Sequence, residues 1–254
     1  MYQFFVPREQ IDETSHVVLI RGEDVNHIQN VLRMRPGEEF IVRAQGDEQG
    51  DEYRCTVAEY GAEEVRCELR FVKHSRSELP GKVTLYQCLP KGDKMETVIQ
   101  KCTELGACRF VPVASKRCVV RLEPKKAQAK QARWQAIAEA AAKQSKRAII
   151  PEVGAVMSFA EAAKEAARAD LALIPYELES GMEGTRALLA EYAKTAGTVS
   201  ILIGPEGGFD ETEVSLAKDL GIRPVTLGPR ILRTETAGMV VLAWLGFLTD
   251  ADET

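Results

Sequence analysis

Residues 198–221 read TVSILIGPEGGFDETEVSLAKDLG. The apolar, β-branched TVSILI has strand composition, GPEGGF is a glycine-rich turn, and the remainder has the composition of a helix. Asp210 and Glu213 form a D-x-x-E variant of the capping box, which marks where that helix starts. Strand, tight loop and helix in this order make half of a strand–helix–strand unit, and the same pattern recurs on both sides.

Upstream, VTLYQCL (83–89) precedes KMETVIQKCTELG, in which Met95, Val98, Ile99, Cys102 and Leu105 recur at helical spacing and Gly106 supplies a stop. RFVPV (109–113) reads as a strand. A long helix rich in alanine and lysine, carrying Trp134 and Ile137, is predicted from about 124 to 145. LALIPYE (171–177) is a strand and turn, and GTRALLAEYAK (184–194) a helix. Downstream, RPVTL (223–227) is a strand and 236–248 a closing helix. This alternation predicts an α/β domain built on a mainly parallel sheet with helices on both faces. Ligands of such sheets sit beyond the carboxyl ends of strands. That rule selects three loops: PYE after Ile174, GPEGGF after Ile203 and GPRILRTETA after Leu227.

The first 72 residues differ. HVVLI (16–20), EFIVRA (39–44), EYRCTVAEY (52–60) and VRCELRFV (65–72) are strand-like, with turns at Pro36-Gly37, Gly46, Gly50 and Gly61 and one helix-like stretch at 24–34. A small β-barrel or sandwich is expected over 1–72. The Pro-Gly pair of ELPGKVT (78–84) ends the pattern, so a second domain is assigned to 73–254. A chain of 254 residues is long enough for two cores.

Hydrophobic residues at 45% and charged residues at 28% are ordinary for a folded globular protein and exclude a disordered one. MYQFFVPREQ lacks the features of a secretory signal, so a cytoplasmic protein is expected. The longest apolar run, 237–248, falls short of the roughly 20 residues that span a bilayer, and reads as a buried or interface helix. The six cysteines include no C-x-x-C pair and only three histidines accompany them, so reduced thiols and no metal site are expected.

The net charge of −5 conceals a strong division. Residues 1–72 carry 8 basic and 15 acidic side chains, residues 73–150 carry 17 and 6, and residues 151–254 carry 8 and 17. The middle block is therefore basic by 11 charges. Either it pairs with the acidic segments in the fold or it forms a surface for a polyanion.

A glycine-rich loop between strand and helix can cradle phosphate, but GPEGGF fits neither phosphate signature. It lacks the lysine of G-x-x-x-x-G-K-[ST], Gly204, Gly207 and Gly208 do not form G-x-G-x-x-G, and Glu206 would repel an anion. S-adenosylmethionine, cationic and offering hydroxyls and an adenine edge, is the better-matched ligand. A plain turn is the alternative. TLGPR mirrors LIGPE, and Pro205 and Pro229 stiffen the two loops. Arg230 and Arg233 need partners: either Glu206 or Glu235 in structural ion pairs, or a phosphate or developing anion on a base.

IGPEGGF, LGPRILRTETA, KGDKMETVIQKCTELGA and NHIQNVLRMRPGEEF together resemble the bacterial 16S rRNA uracil-N3 methyltransferases, the RsmE family of the SPOUT superfamily, nearly end to end. The resemblance implies a PUA-like N-terminal β-barrel, a SPOUT domain with a C-terminal trefoil knot that binds S-adenosylmethionine, and a homodimer with the closing helix in its interface. It implies methylation of N3 of one uridine of 16S rRNA, conventionally numbered 1498, in the 30S subunit. Carried onto this chain, the cofactor loops are 174–177, 203–208 and 227–236. They supply Ile174, Pro175 and Tyr176; Ile203, Gly204, Glu206 and Gly207; and Leu227, Gly228, Ile231, Leu232 and Thr236. Arg33 and Arg35, with Lys91, Lys94 and Lys101, are the expected RNA contacts. Arg230, Arg233 and Glu235 are the expected catalytic residues, the arginines stabilising charge on the base and Glu235, Glu206 or a water they orient taking the proton. A SPOUT enzyme acting on a ribose 2′-hydroxyl or a guanine, and a ribosome assembly factor without catalysis, are the alternatives. Thr97 stands where KMEW-like versions have an aromatic residue, and KQSKR (143–147) replaces a QSGR-like stretch.

Overall fold

The computed structural model describes residues 1–47, 50–75, 77–179 and 181–250. It comprises two compact units, Met1–Glu78 with Lys143–Ile150, and Leu79–Ala142 with Pro151–Thr254.

The first unit is a curled, mixed sheet of six strands: β1 (Gln3–Val6), β2 (Ile11–Asp12), β3 (Val17–Arg21), β4 (Glu39–Ala44), β5 (Asp51–Tyr60) and β6 (Glu64–His74), in the order β1-β4-β5-β6-β3-β2. β1 runs parallel to β4 and the other neighbours are antiparallel. Along β6, Val65, Cys67 and Leu69 are buried while Arg66, Glu68 and Arg70 face out, the two-residue alternation of a half-covered sheet. They join Phe4, Ile20, Ile28, Phe40 and Val42 in one core. After β3 comes a single helical turn, α1 (Glu23–Asn26), widened into π-type turns over His27–Val31. That stretch ends at Arg33, whose φ of +52° is the left-handed conformation that closes helices, and Met34 N–H donates back to Ile28 at 3.1 Å.

The segment Lys143–Ile150 belongs to this unit through polar contacts. The Glu78 carboxylate accepts from the N–H groups of Ala148 at 2.7 Å and Ile149 at 3.2 Å and pairs with Arg147, and Gln3 Nε2 donates to the Arg147 carbonyl at 2.8 Å. Gln3 also accepts from the buried Arg43, whose Nη1 reaches the Gly50 carbonyl at 2.8 Å. Lys146 has a φ of +59°. A left-handed residue there explains why QSGR-like versions carry glycine at this place, where this chain has lysine.

The second unit is a parallel sheet of β7 (Val83–Cys88), β8 (Arg109–Ala114), β9 (Glu152–Val153), β10 (Met157–Ser158), β11 (Leu171–Pro175), β12 (Val199–Ile203) and β13 (Arg223–Val225). The order is β10-β8-β7-β12-β11-β13, with β9 also on β8. Its helices are α2 (Lys94–Glu104), α3 (Pro124–Gln144), α4 (Phe159–Ala166), α5 (Met182–Tyr192), α6 (Glu211–Asp219) and α7 (Thr234–Thr249). Adjacent residues of β7 show that both faces are covered. Tyr86 donates its hydroxyl to Glu165 of α4 at 3.1 Å, while Leu85 lies against Gly238 of α7. A Cβ at Gly238 would stand 3.2 Å from Leu85, so glycine lets α7 sit close on the sheet and on Cys102 of α2. α4 was not among the helices read from the sequence, although Ser158 and Glu161 form a full capping box at its start. β13 lies outside β11, yet the chain after it returns as α7 to pack on β12, α2 and α5.

All six cysteines are free. Burial pushes the Cys67 and Cys102 thiols up to about 12, so they act as apolar core. No helix of the described residues is long and apolar enough to cross a membrane, and among them no group of three His, Cys, Asp or Glu side chains gathers as metal ligands.

Candidate functional site

β12 and β13 flank β11 in parallel register, so the strands ending at Pro175, Ile203 and Val225 present their carboxyl ends on one edge. The three loops chosen from the sequence meet there around a cavity of about 780 Å³, a volume suited to a cofactor-sized molecule. Pro175, Tyr176, Ile203, Gly204, Glu206, Leu227, Gly228, Ile231 and Leu232 line it, with Arg230 and Arg233. The wall also includes Glu177, Phe209 and Thr234 of those loops, which were not chosen as cofactor contacts, and Glu179 and Met182, which lie outside them. Four expected residues are not on it. Ile174 is fully buried in β11, Gly207 turns its carbonyl to Arg117 Nη1 at 3.0 Å, and Glu235 and Thr236 lie in the first turn of α7.

Local bonding fixes the middle loop. Gly208 adopts a φ of +66° and its N–H closes a turn on the Pro205 carbonyl at 2.9 Å. Thr234 Oγ1 donates to the Gly204 carbonyl at 2.6 Å and accepts from Gln87 Nε2 at 2.9 Å. Asp210 caps α6 and accepts from Lys116 Nζ at 3.3 Å, and bonds from Thr212 hold its carboxyl down to about 2. Gln87 is a polar residue inside an apolar strand, which is the sequence signal that could have marked the Gln87–Thr234–Gly204 relay.

Glu206 Oε1 accepts from the Lys91 N–H at 3.1 Å and from Lys94 Nζ at 3.0 Å. Lys94 Nζ is also 3.5 Å from Glu235 Oε2. Burial acts to raise the Glu206 carboxyl, but the Lys94 ammonium and backbone N–H groups outweigh it and hold the group below its ordinary value. The hydrogen bond to Glu206 in turn raises Lys94. Glu206 and Glu235 thus pair with Lys94 and not with the arginines, which overturns the ion-pair reading of Arg230 and Arg233. Both are exposed, and neither side chain has a hydrogen-bond or ion-pair partner among the described residues.

The basic block is divided. Lys94, Arg109, Lys116 and Arg117 pair with carboxylates of the acidic C-terminal segment, and Lys101, Arg133 and Arg147 with Glu104, Glu96 and Glu78. Internal pairing therefore accounts for much of it. The ammonium groups of Lys91, Lys125, Lys126 and Lys130 have no such partner among the described residues. In the first unit, Arg33 and Arg35 are exposed and without side-chain partners among the described residues.

Comparison with known proteins places the chain in a family. A family model described as an RNA methyltransferase domain matches residues 77–246, and one described as an RNA methyltransferase PUA domain matches residues 20–70. Ribosomal RNA small subunit methyltransferase E of Bacillus subtilis is 38% identical over 98% of both chains. The crystal structure of ribosomal RNA small subunit methyltransferase E from Neisseria gonorrhoeae bound to S-adenosyl methionine superposes with a TM-score of 0.80 at 31% identity, covering 98% of each chain. A Legionella pneumophila protein in complex with SAM as cofactor gives 0.80 at 30% identity over 97% of each. Matched end to end, with both domain models in chain order, the chain belongs to the ribosomal RNA small subunit methyltransferase E family.

Proposed function

We propose that this protein transfers a methyl group from S-adenosylmethionine to N3 of a uridine of 16S rRNA, the uridine conventionally numbered 1498, in the small ribosomal subunit, in the cytoplasm. The observation that carries the reading is the cavity at the ends of β11, β12 and β13, with two arginines on its rim that have no partner among the described residues.

The cavity suits that cofactor. Among the described residues no lysine lines it, Glu177 and Glu179 offer negative charge to a sulfonium and an ammonium, and Ile203, Leu227 and Leu232 supply apolar wall. When bound, S-adenosylmethionine supplies an electrophilic methyl group. Arg230 and Arg233 then stabilise the negative charge that spreads to the uracil carbonyl oxygens as N3 loses its proton. Of the two candidate carboxylates only Glu206 is on the wall, so it, or a water it orients, takes the proton, and Glu235 acts from behind it. A carboxyl held low is a weak base, so the arginines carry more of the step. The target base leaves its stack to reach a loop site, and RNA phosphates meet Lys91, Lys125, Lys126, Arg33 and Arg35, with Lys101 shared between phosphate and Glu104.

Two further properties fit. Phe247 is 87% exposed, and it continues an apolar stripe through Val240, Ala243 and Trp244 on α7, which suits the face of a homodimer. The return of α7 from beyond β11 to β12 supports a trefoil knot in this part of the chain.

Labelled S-adenosylmethionine offered with unmodified naked 16S rRNA and with 30S particles tests the reading, followed by digestion and identification of the nucleoside. Label is expected in 3-methyluridine. Arg233→Ala is expected to bind cofactor normally and lose about 100-fold in transfer. Label in a ribose or a guanine, or wild-type protein that binds no cofactor in calorimetry, refutes it.

A further inference from the structure

Lys94 begins α2, the middle loop follows β12, and Glu235 sits in the first turn of α7. One ammonium holds all three segments together, 3.0 Å from Glu206 Oε1 and 3.5 Å from Glu235 Oε2. The two carboxylate oxygens are thus at most 6.5 Å apart, a distance at which uncompensated like charges act against each other's ionisation. Among the described residues Lys94 is the only cation within ion-pair distance of either.

We infer that Lys94 is a positioning residue of the cofactor cavity: it binds Glu206 and Glu235 to each other and so fixes the Gly204–Gly208 wall, in place of the phosphate contact expected from the sequence. The inference rests on reading the cavity as the S-adenosylmethionine site. Besides the Arg117 bond to the Gly207 carbonyl, two attachments hold that wall to α2 and α7. Thr234 holds the Gly204 carbonyl at one end, and Lys94 with the Lys91 N–H holds Glu206 in the middle. Without the Lys94 charge, Glu206 keeps only backbone donors and faces Glu235 uncompensated, so the second attachment becomes repulsive. A phosphate approaching Lys94 would meet one positive and two negative charges, a cluster that is negative overall. Lys91, whose ammonium has no partner among the described residues, and Lys125 and Lys126 on α3 are better placed for that task.

The test is a double-mutant cycle on cofactor binding, with RNA binding as the control. Calorimetry with S-adenosylmethionine is run on wild type, Lys94→Met, Lys94→Arg, Glu206→Gln and the Lys94→Met/Glu206→Gln double variant. Binding of 16S rRNA is followed across salt concentrations for the first three. Lys94→Met is expected to weaken cofactor binding about tenfold, and Glu206→Gln added to it to recover a part, because the repulsion goes with the charge. Lys94→Arg, which keeps the charge, is expected to bind within about threefold of wild type, and the slope of RNA affinity against salt to stay unchanged in both Lys94 variants. An unchanged cofactor Kd together with a salt slope lowered by about 0.7–0.9 would make Lys94 a phosphate contact and overturn the inference. Additive losses in the double variant would overturn it too. Retained rRNA binding by Lys94→Met separates these outcomes from misfolding, and wild-type protein that binds no cofactor would instead remove the proposed function itself.

Discussion

Thr234→Val removes one hydroxyl and leaves the shape of the side chain unchanged. Thr234 is only 7% exposed, and its Oγ1 donates to the Gly204 carbonyl at 2.6 Å while accepting from Gln87 Nε2 at 2.9 Å. In the variant the Gly204 carbonyl and one Gln87 N–H lose their partner. Gln87 Nε2 keeps its bond to the Cys88 carbonyl at 3.0 Å, which limits the loss on that side. A buried polar group left unsatisfied costs about 1–3 kcal/mol, and the half-buried Gly204 belongs at the low end, giving about 2–3 kcal/mol in all. A domain stable by about 5–15 kcal/mol still folds after such a loss. The effect on function follows from where the damage falls, since the released carbonyl is the first residue of the cavity's middle loop. Chemical denaturation followed by circular dichroism, with calorimetry of S-adenosylmethionine on the same preparations, reads both quantities. Stability within about 0.5 kcal/mol of wild type together with an unchanged cofactor Kd would refute the relay, because a surface hydroxyl of no consequence gives that result.

Asp210→Asn probes a carboxyl lowered to about 2 from 3.8. A depressed acid stabilises fully above the unfolded value and loses that contribution as pH falls through the folded one, so the Tm gap between wild type and variant is expected at pH 6 and to shrink as pH falls through about 2; a gap independent of pH contradicts the assignment. Lys125→Gln with Lys126→Gln is expected to lower the slope of log rRNA affinity against log salt by roughly 1–2, whereas an unaltered slope in filter binding removes α3 from the RNA surface. Lys146→Gly relieves a left-handed lysine and is expected to stabilise by about 0.5–1 kcal/mol after the entropy of glycine is counted, measured by denaturant midpoint at constant m. Phe247→Asp is expected to yield monomers in analytical ultracentrifugation, and a dimer that persists would exclude the α7 stripe from the interface.

The legible parts of the fold were those with strong local signals. TVSILI and LALIP are buried along most of their length, so a parallel sheet followed from them, and Asp210 and Glu213 placed the start of α6. β1, β2, β9 and β10 have four residues or fewer and hold their place by tertiary pairing. α4 is built on Ala162, Ala163 and Ala166, whose small side chains give little contrast to a periodic pattern. At the site, Gly-Pro after a strand located two loops, and Arg230 and Arg233 stood out because permanently charged side chains ahead of an apolar helix need a partner. The partnership of Lys94 was not legible. Glu206 lies 112 residues away, and nothing in KGDKME distinguishes a lysine that meets phosphate from one that meets a distant carboxylate.

The discontinuity of the first unit bears on how the protein is made. Its apolar core is complete once Leu69 is available, but Ala148 and Ile149, which bind the Glu78 carboxylate, and Arg147, whose carbonyl binds Gln3, belong to a segment that starts at Lys143. At roughly 5–20 residues per second, translation separates Glu78 from that segment by several seconds. A nascent chain therefore holds a collapsed sheet whose buried edge, around Gln3, Arg43 and Gly50, still faces water while β7, α2, β8 and α3 emerge. The N-terminal sheet is first to collapse and among the later parts to be finished, so cutting the chain after residue 72 or 78 yields a folding intermediate in place of a domain.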